Sequence, residues 1–552
     1  MTQWIQNYTP IGDNLALSTL VAVIPILFLF WALAIKKLKG HIAGLLTLAV
    51  TVLVVIVGYK MPASLALSSM LYGALYGFWP VGWIVITAVF LYNLSVEAGQ
   101  LEIIKNSVAS LTDDRRLQTL LIAFCFGAFL EGAAGFGTPV AIAGAILIGI
   151  GFEPKYAAGL CLIANAAPVA FGALGIPIIT ASSVTGISDL QISQVAAIQL
   201  TPLILIGPFY LVALMGGFKA IKEVLPAILL IGISYAALNW VTAYYLGPML
   251  PNIVASLGSL IILAVFLKFW QPAHTWRFPG EKETAGKTKL QYNAGQIIKA
   301  WSPFAILTII VALWCLPWFK ALITEKLKWF ISFKWPGLYT AAGEAIIYKN
   351  ATTPYPALYT WDFITSPGTA IFVSAIISSF ILGIGPRKFF TVLGRTIKQL
   401  IFPLTNIMAV LGFAYVANYS GLSYTLGLAF ASTGFIFPFL APFLGWLAVF
   451  LTGSDTSAQA LFGKLQQVTA TQIGVNPLLT VGANSTGAVT GKMISPQSIA
   501  VASAATGLVG KESELFRFTF KHSLVFAAIM GIVVYLQAYV FPSLMLFVSK
   551  LI

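Results

Sequence analysis

Charge is scarce in these 552 residues: Asp, Glu, Lys and Arg together make up 9% of them, where a soluble domain carries about 25%. Histidine and cysteine are scarcer still, at three each. Cys125, Cys161 and Cys315 sit in apolar stretches with neither metal-ligand spacing nor the pattern of a disulfide framework. His41, His274 and His522 are scattered, which argues against a zinc or haem site. No cofactor is expected. A basic leader is also missing: "MTQWIQNYTPIGDN" has no positive n-region, and the first cations, Lys36, Lys37 and Lys39, follow the first apolar run. Polar loops are short and no nucleophile–base pairing stands out, so an enzyme is disfavoured.

What is abundant is apolar surface. Hydrophobic residues make up 59% of the chain, and apolar stretches recur from Leu15 to the end. A bilayer is the solvent that selects such a composition. A span needs about 20 apolar residues, and on that measure the chain holds roughly 12–14 membrane segments, partial ones included. The fold expected is an all-α polytopic membrane protein. The formal net charge is +14, but the cations cluster between apolar segments, as in "AIKKLKG" (34–40) and "GPRKFF" (385–390). They read as topology signals facing an anionic cytoplasmic leaflet rather than as a nucleic-acid surface. The same rule places the N-terminus outside.

Residues 1–270 form an N-terminal membrane half. The polar, Lys-rich stretch 271–296 reads as a cytoplasmic linker, and 297–552 as a C-terminal membrane half. Within the latter, 320–362 is rich in Trp, Tyr and Pro and is expected to be an external insertion with one or two interfacial helices. The halves share landmarks at a near-constant offset. "FLEG" (129–132) answers "FLTG" (450–453), "SVEAGQL" (95–101) answers "VANYSGL" (416–422), and Pro154 answers Pro477. Repeats with Gly- or Pro-interrupted segments are the best sequence pointer to a transporter's midplane site. Their core motifs are 129–177 and 450–498, and whether the repeats are inverted cannot be read from the sequence directly.

Three broken segments carry the polar residues. In "FLEGAAGFGTPVAIAGA" (129–145), Gly132, Gly135, Gly137 and Pro139 oppose a continuous helix. Non-helical backbone at membrane depth must be buried in protein or line a wet cavity, so a re-entrant tip is expected with Glu131 at its edge. "LTGSDTSAQALFGK" (451–464) brings Ser454, Asp455 and Thr456 into an apolar segment. Thr456 and Gln459 have capping-box spacing, so Asp455 or Thr456 could merely cap a helix. Against that, a carboxylate at membrane depth costs roughly 2.5–3.5 kcal/mol and is a functional candidate by default. "VGANSTGAVTGKMISPQSIAVA" (481–502) offers Asn484, Ser485 and Thr486 as donors at a helix end. Lys492 either snorkels to the interface or attracts an anion or pairs with Asp455 or Glu131. Asn165 lies near the break of the counterpart, "LCLIANAAPVAFGALGIP" (160–177). Gly-rich turns and half-helix N-termini suit a small carboxylate, a hydroxyl on it would find Ser, Thr and Asn partners, and Glu131 and Asp455 are candidates for a proton step.

The 129–177 stretch and "LTGSDTSAQALFG…VGANSTGAVTGKMISPQSIAVA" closely resemble the bacterial L-lactate permease family, over nearly the whole chain. The resemblance implies a symporter of the bacterial cytoplasmic membrane that moves lactate, and in relatives glycolate, inward with protons. It further implies inverted repeats with re-entrant hairpins and elevator-like movement. Carried over by motif, substrate contacts are expected from Gly135, Asn165, Ser454, Thr456, Asn484, Ser485, Thr486 and Lys492, and proton coupling from Glu131 and Asp455. A different small organic anion, Na⁺ as driver, or an anion channel are the rival expectations.

Overall fold

The computed structural model describes residues 3–135, 137–278 and 291–548. Ten helices among the described residues are long and apolar enough to span a bilayer, and four shorter apolar helices accompany them: Thr138–Gly149, Pro251–Phe266, Pro367–Leu382 and Leu422–Ala431. The longest run, Asp189–Leu246, is interrupted where Gly216, Gly217 and Val224 leave helical geometry. It therefore serves as two spans. The architecture is that of an all-α polytopic membrane protein.

Two hairpins and two broken helices occupy its middle. The first hairpin rises through Arg115–Ala133, turns by way of Gly135 and Gly137 and returns as Thr138–Gly149. Gly135 and Gly137 turn it, with φ of +61° and +85°, a region that side chains rarely adopt. Gly132 stays helical, and its bare Cα accommodates Asn252. The second hairpin runs down Phe437–Thr452, turns at Gly453 with φ +70°, and returns as Asp455–Gln472. The first broken helix is Pro154–Ala164, a 3-10 turn at Ala167–Phe171, and Gly172–Thr185. Ala173, Leu174 and Gly175 all take left-handed φ there, strain of about 1–3 kcal/mol for each non-glycine residue, of the kind found at functional sites. The second broken helix is Pro477–Lys492 and Pro496–Thr506.

Small residues let these elements approach closely, as membrane helices require. A Cβ added at Gly487 would sit 1.9 Å from the Pro442 carbonyl oxygen, and one at Gly445 equally close to that of Asn484. The second hairpin and the second broken helix thus pack backbone on backbone. The long helix Pro386–Ser420 does the same against Ala63–Tyr76, where Gly73 faces the Leu411 carbonyl.

Two seams anchor the hairpins. At the base of the first hairpin, fully buried Arg116 bonds Asp114 (2.7 Å) and Glu223 (2.6 Å) and donates to the His274 carbonyl, while Asp114 also accepts the Trp276 N–H at 2.9 Å. This ties the start of the expected linker to the hairpin; positions 279–290 of that linker lie outside the described residues. On the second hairpin, the returning arm places Lys464 over the Tyr424 ring, which stacks on Tyr8. The 320–362 stretch packs beside this seam but is not chiefly helical. Strand β1 (Trp4–Ile5) pairs in parallel with β3 (Ile347–Tyr348), and β2 (Phe330–Lys334) pairs antiparallel with β4 (Leu358–Asp362). Its Trp, Tyr, Phe and Thr residues are strand formers, and that preference prevailed over interfacial helices.

Candidate functional site

The hairpin tips and helix breaks converge on one cavity of about 880 Å³. The first hairpin and first broken helix contribute Glu131, Gly135, Gly172 and Ala173, and the second hairpin and second broken helix contribute Gly453, Ser454, Asp455, Thr456, Lys492 and Gln497. From there the cavity extends to Lys37 and Lys39 in the first loop, to His41 at the start of the helix Gly40–Val57 and to Asn406 on the long helix, with His41 stacked on Phe402.

Glu131 is buried on the last turn of Gly127–Ala133. Its Oε2 accepts from Asn165 Nδ2 at 3.1 Å. Gly172 leaves room for its other oxygen, since a Cβ there would lie 2.6 Å from Oε1. Asp455 is the first residue of its helix, also buried, but it does not cap it. Ser454 is the N-cap, accepting the Ser457 N–H. Both Asp455 oxygens have donors instead: Gln459 Nε2 at 3.2 Å and Ser485 Oγ at 2.6 Å. Thr456 is no cap either; it stands in the cavity wall.

Lys492 is buried and does not snorkel. It donates to the Gly453 carbonyl at 2.6 Å, neutralising the exposed carbonyl end of Phe437–Thr452. It lies within electrostatic reach of both Glu131 and Asp455. The cavity therefore gathers one buried lysine and two buried carboxylates, with the exposed Lys37 and Lys39 also on its wall. It also receives helix starts: the N–H groups of Asp455 and Thr456 have no acceptor inside their own helix, and neither does that of Gln497 in Pro496–Thr506. Such donors suit an anion.

Of the residues singled out in the sequence, Gly135, Glu131, Ser454, Asp455, Thr456 and Lys492 meet at the cavity. Asn165, Asn484, Ser485 and Thr486 stand behind its wall. The last three are not at a helix end but inside Pro477–Lys492. Asn484 donates to the Ala458 carbonyl and Gln459, Ser485 to Asp455, and Thr486 to Gln199. They orient the residues that line the site. Sequence reasoning missed Gln497, Asn406, Lys37, Lys39 and His41 as cavity residues. Gln497 had a usable signal, since it directly follows the Pro that restarts the helix. The others meet the site only through tertiary packing.

Residues 18–541 match the family described as L-lactate permease. The chain belongs to the L-lactate permease family. Glycolate permease GlcA of Escherichia coli (strain K12) is 52% identical over 559 residues, covering 99% of this chain and all of that one. The L-lactate permease of Bacillus subtilis (strain 168) is 51% identical over 98% of this chain and 99% of its own length. Among solved structures, the Alcanivorax borkumensis YdaH transporter superposes with a TM-score of 0.45 at 14% identity, over 84% of this chain and 86% of that one. This family consists of permeases, and the chain is accordingly a multi-pass membrane protein.

Proposed function

We propose that this chain imports L-lactate and glycolate across the bacterial cytoplasmic membrane together with protons. The observation that carries this reading is the single cavity where one buried lysine, two buried carboxylates and the helix starts at Asp455 and Gln497 meet. The substrate carboxylate would take the free N–H groups and the field of Lys492. Its 2-hydroxyl would bond Ser454, Thr456 or Gln497. With both ionised, Glu131 and Asp455 outweigh Lys492 at the hairpin tips, while Lys37 and Lys39 stand elsewhere on the cavity wall; this local negative charge opposes a further anion, since like charges 4 Å apart cost about 4 kcal/mol at an effective dielectric of 20. A proton on either carboxylate relieves that repulsion, so anion and proton each raise the other's affinity.

The topology proposed is an inverted pair of repeats. Support comes from the hairpin bases, one at the Arg116–Trp276 seam and the other at the Lys464–Tyr424 seam. In this reading, which the cation-rich loops support, the first seam is cytoplasmic and β1 with its partners lies outside. The cavity then opens inward, past Lys37 and His41. Alternating access would shift the hairpins and broken helices, in elevator fashion, along the long helix Pro386–Ser420.

The test is labelled L-lactate uptake into proteoliposomes under an inward proton gradient without Na⁺, against protein-free liposomes. Concentrative uptake, competed by glycolate and collapsed by a protonophore, is expected. Uptake that follows a Na⁺ gradient instead would overturn the proton reading. Uptake of neither acid by folded protein would overturn the substrate.

A further inference from the structure

The two carboxylates of the cavity are built differently. Asp455 has a donor on each oxygen and sits at a helix start, so its negative charge is held from three directions. Glu131 has one donor, from Asn165, and its Oε1 lies against the space left by Gly172 on the cavity wall. The charged groups that reach Glu131 are Lys492 and, on the second hairpin, Asp455.

Asn165 adds an independent observation. It is buried, and its Oδ1 has no hydrogen-bond partner. A buried amide oxygen without a donor is unusual. A half-turn of the amide exchanges Nδ2 for Oδ1, so the side chain that donates to an ionised Glu131 can accept from a protonated one. Asp455 is held differently: the Gln459 amide is fixed in its donating orientation because its Oε1 accepts from Asn484 Nδ2 at 3.1 Å, and of the two donors only the Ser485 hydroxyl can also accept.

We infer that Glu131 carries the coupling proton, with Asn165 positioning it in both charge states and Gly172 keeping it open to the cavity, while Asp455 remains a fixed negative charge. The inference rests on the proton-symport reading above. The step is a transfer from cavity water to one oxygen of Glu131 as the anion binds, and back to water once the site faces the other side.

The experiment compares E131Q, D455N and the unaltered protein in proteoliposomes, in two assays. One is lactate–lactate exchange without a gradient; the other is uphill uptake under a pH gradient, with proton entry followed by an internal pH dye. E131Q is expected to lower exchange, since Glu131 lines the cavity, but to leave it measurable while accumulation and lactate-linked proton entry are lost. D455N should weaken exchange and uptake together, with the residual uptake still bringing in protons. The reverse pattern, uphill uptake by E131Q, or a folded E131Q without exchange would overturn the assignment. Failure of the unaltered protein to accumulate lactate under the gradient would instead remove the symport reading itself.

A second variant tests the opening at Gly172. Its φ of −65° and ψ of 152° suit any residue, so G172A adds a methyl beside Glu131 Oε1 without backbone strain. The pH profile of uptake is expected to move by about one unit, equivalent to a tenfold change in proton affinity. An unmoved profile would overturn the role of Gly172.

Discussion

The backbone contact between the second hairpin and the second broken helix makes G487A an informative perturbation. The added Cβ would begin 1.9 Å from the Pro442 carbonyl oxygen, whereas carbon and carbonyl oxygen tolerate roughly 3.3 Å. The two helices must therefore separate by about 1.4 Å, since neither partner is a side chain that can swing away. Lys492 lies on the same helix, little more than a turn beyond, and reaches the Gly453 carbonyl across that interface at 2.6 Å. The same displacement carries this contact past hydrogen-bonding range. Overpacking costs about 1–3 kcal/mol, and losing a hydrogen bond to a charged group about 1.5–3 kcal/mol, so a total near 3–5 kcal/mol is expected. G149A is the control: nothing lies within 4 Å of its new methyl, and alanine for glycine in a helix is neutral or stabilising. The assay is the melting midpoint in detergent together with initial lactate uptake. G487A should melt several degrees below both the parent and G149A, with uptake down about tenfold or more. If G487A melts alongside G149A and transports like the parent, the backbone contact does not hold the site together.

K492Q removes the one buried lysine that lines the cavity among the described residues; lactate binding measured by calorimetry should weaken by more than about tenfold, because the two carboxylates at the tips lose their nearby counter-charge. S485A strips one donor from buried Asp455, a loss of about 1–3 kcal/mol, and should lower the melting midpoint with little change in which acid is transported. R116A leaves Asp114 and Glu223 without their shared cation. Breaking a buried pair costs about 3–5 kcal/mol, so limited proteolysis should open the chain near Trp276 sooner than in the parent.

The places where the chain breaks were legible in the sequence because glycine and proline at membrane depth leave few alternatives. Gly135, Gly137 and Gly453 do turn the hairpin tips. The stretch around Asn484, Ser485 and Thr486 misled for a physical reason. Small and hydroxylated residues mark a broken helix, but they also mark a continuous one packed tightly among neighbours. Here Gly482, Gly487 and Gly491 serve packing, and the interruption falls only before Pro496. Asp455 and Thr456 lay beside the true cap, Ser454; capping-box spacing shifted by two residues was enough to misplace it. The mouth residues Lys37, Lys39 and His41 were unreadable, because their meeting with Asn406 depends on how the first loop folds against the long helix.

The pairing of β1 with β3 has a consequence for how the molecule is made. Trp4 N–H bonds the Ile346 carbonyl and Gln6 N–H that of Tyr348, while the Gln6 side chain donates to the carbonyls of Asn418 and Tyr419. Trp4 to Gln6 are made before all of these partners, so they wait for them until synthesis has passed Tyr419. Their docking is thus a late event in biogenesis, and protection of this segment from protease would report that both halves have been threaded and joined.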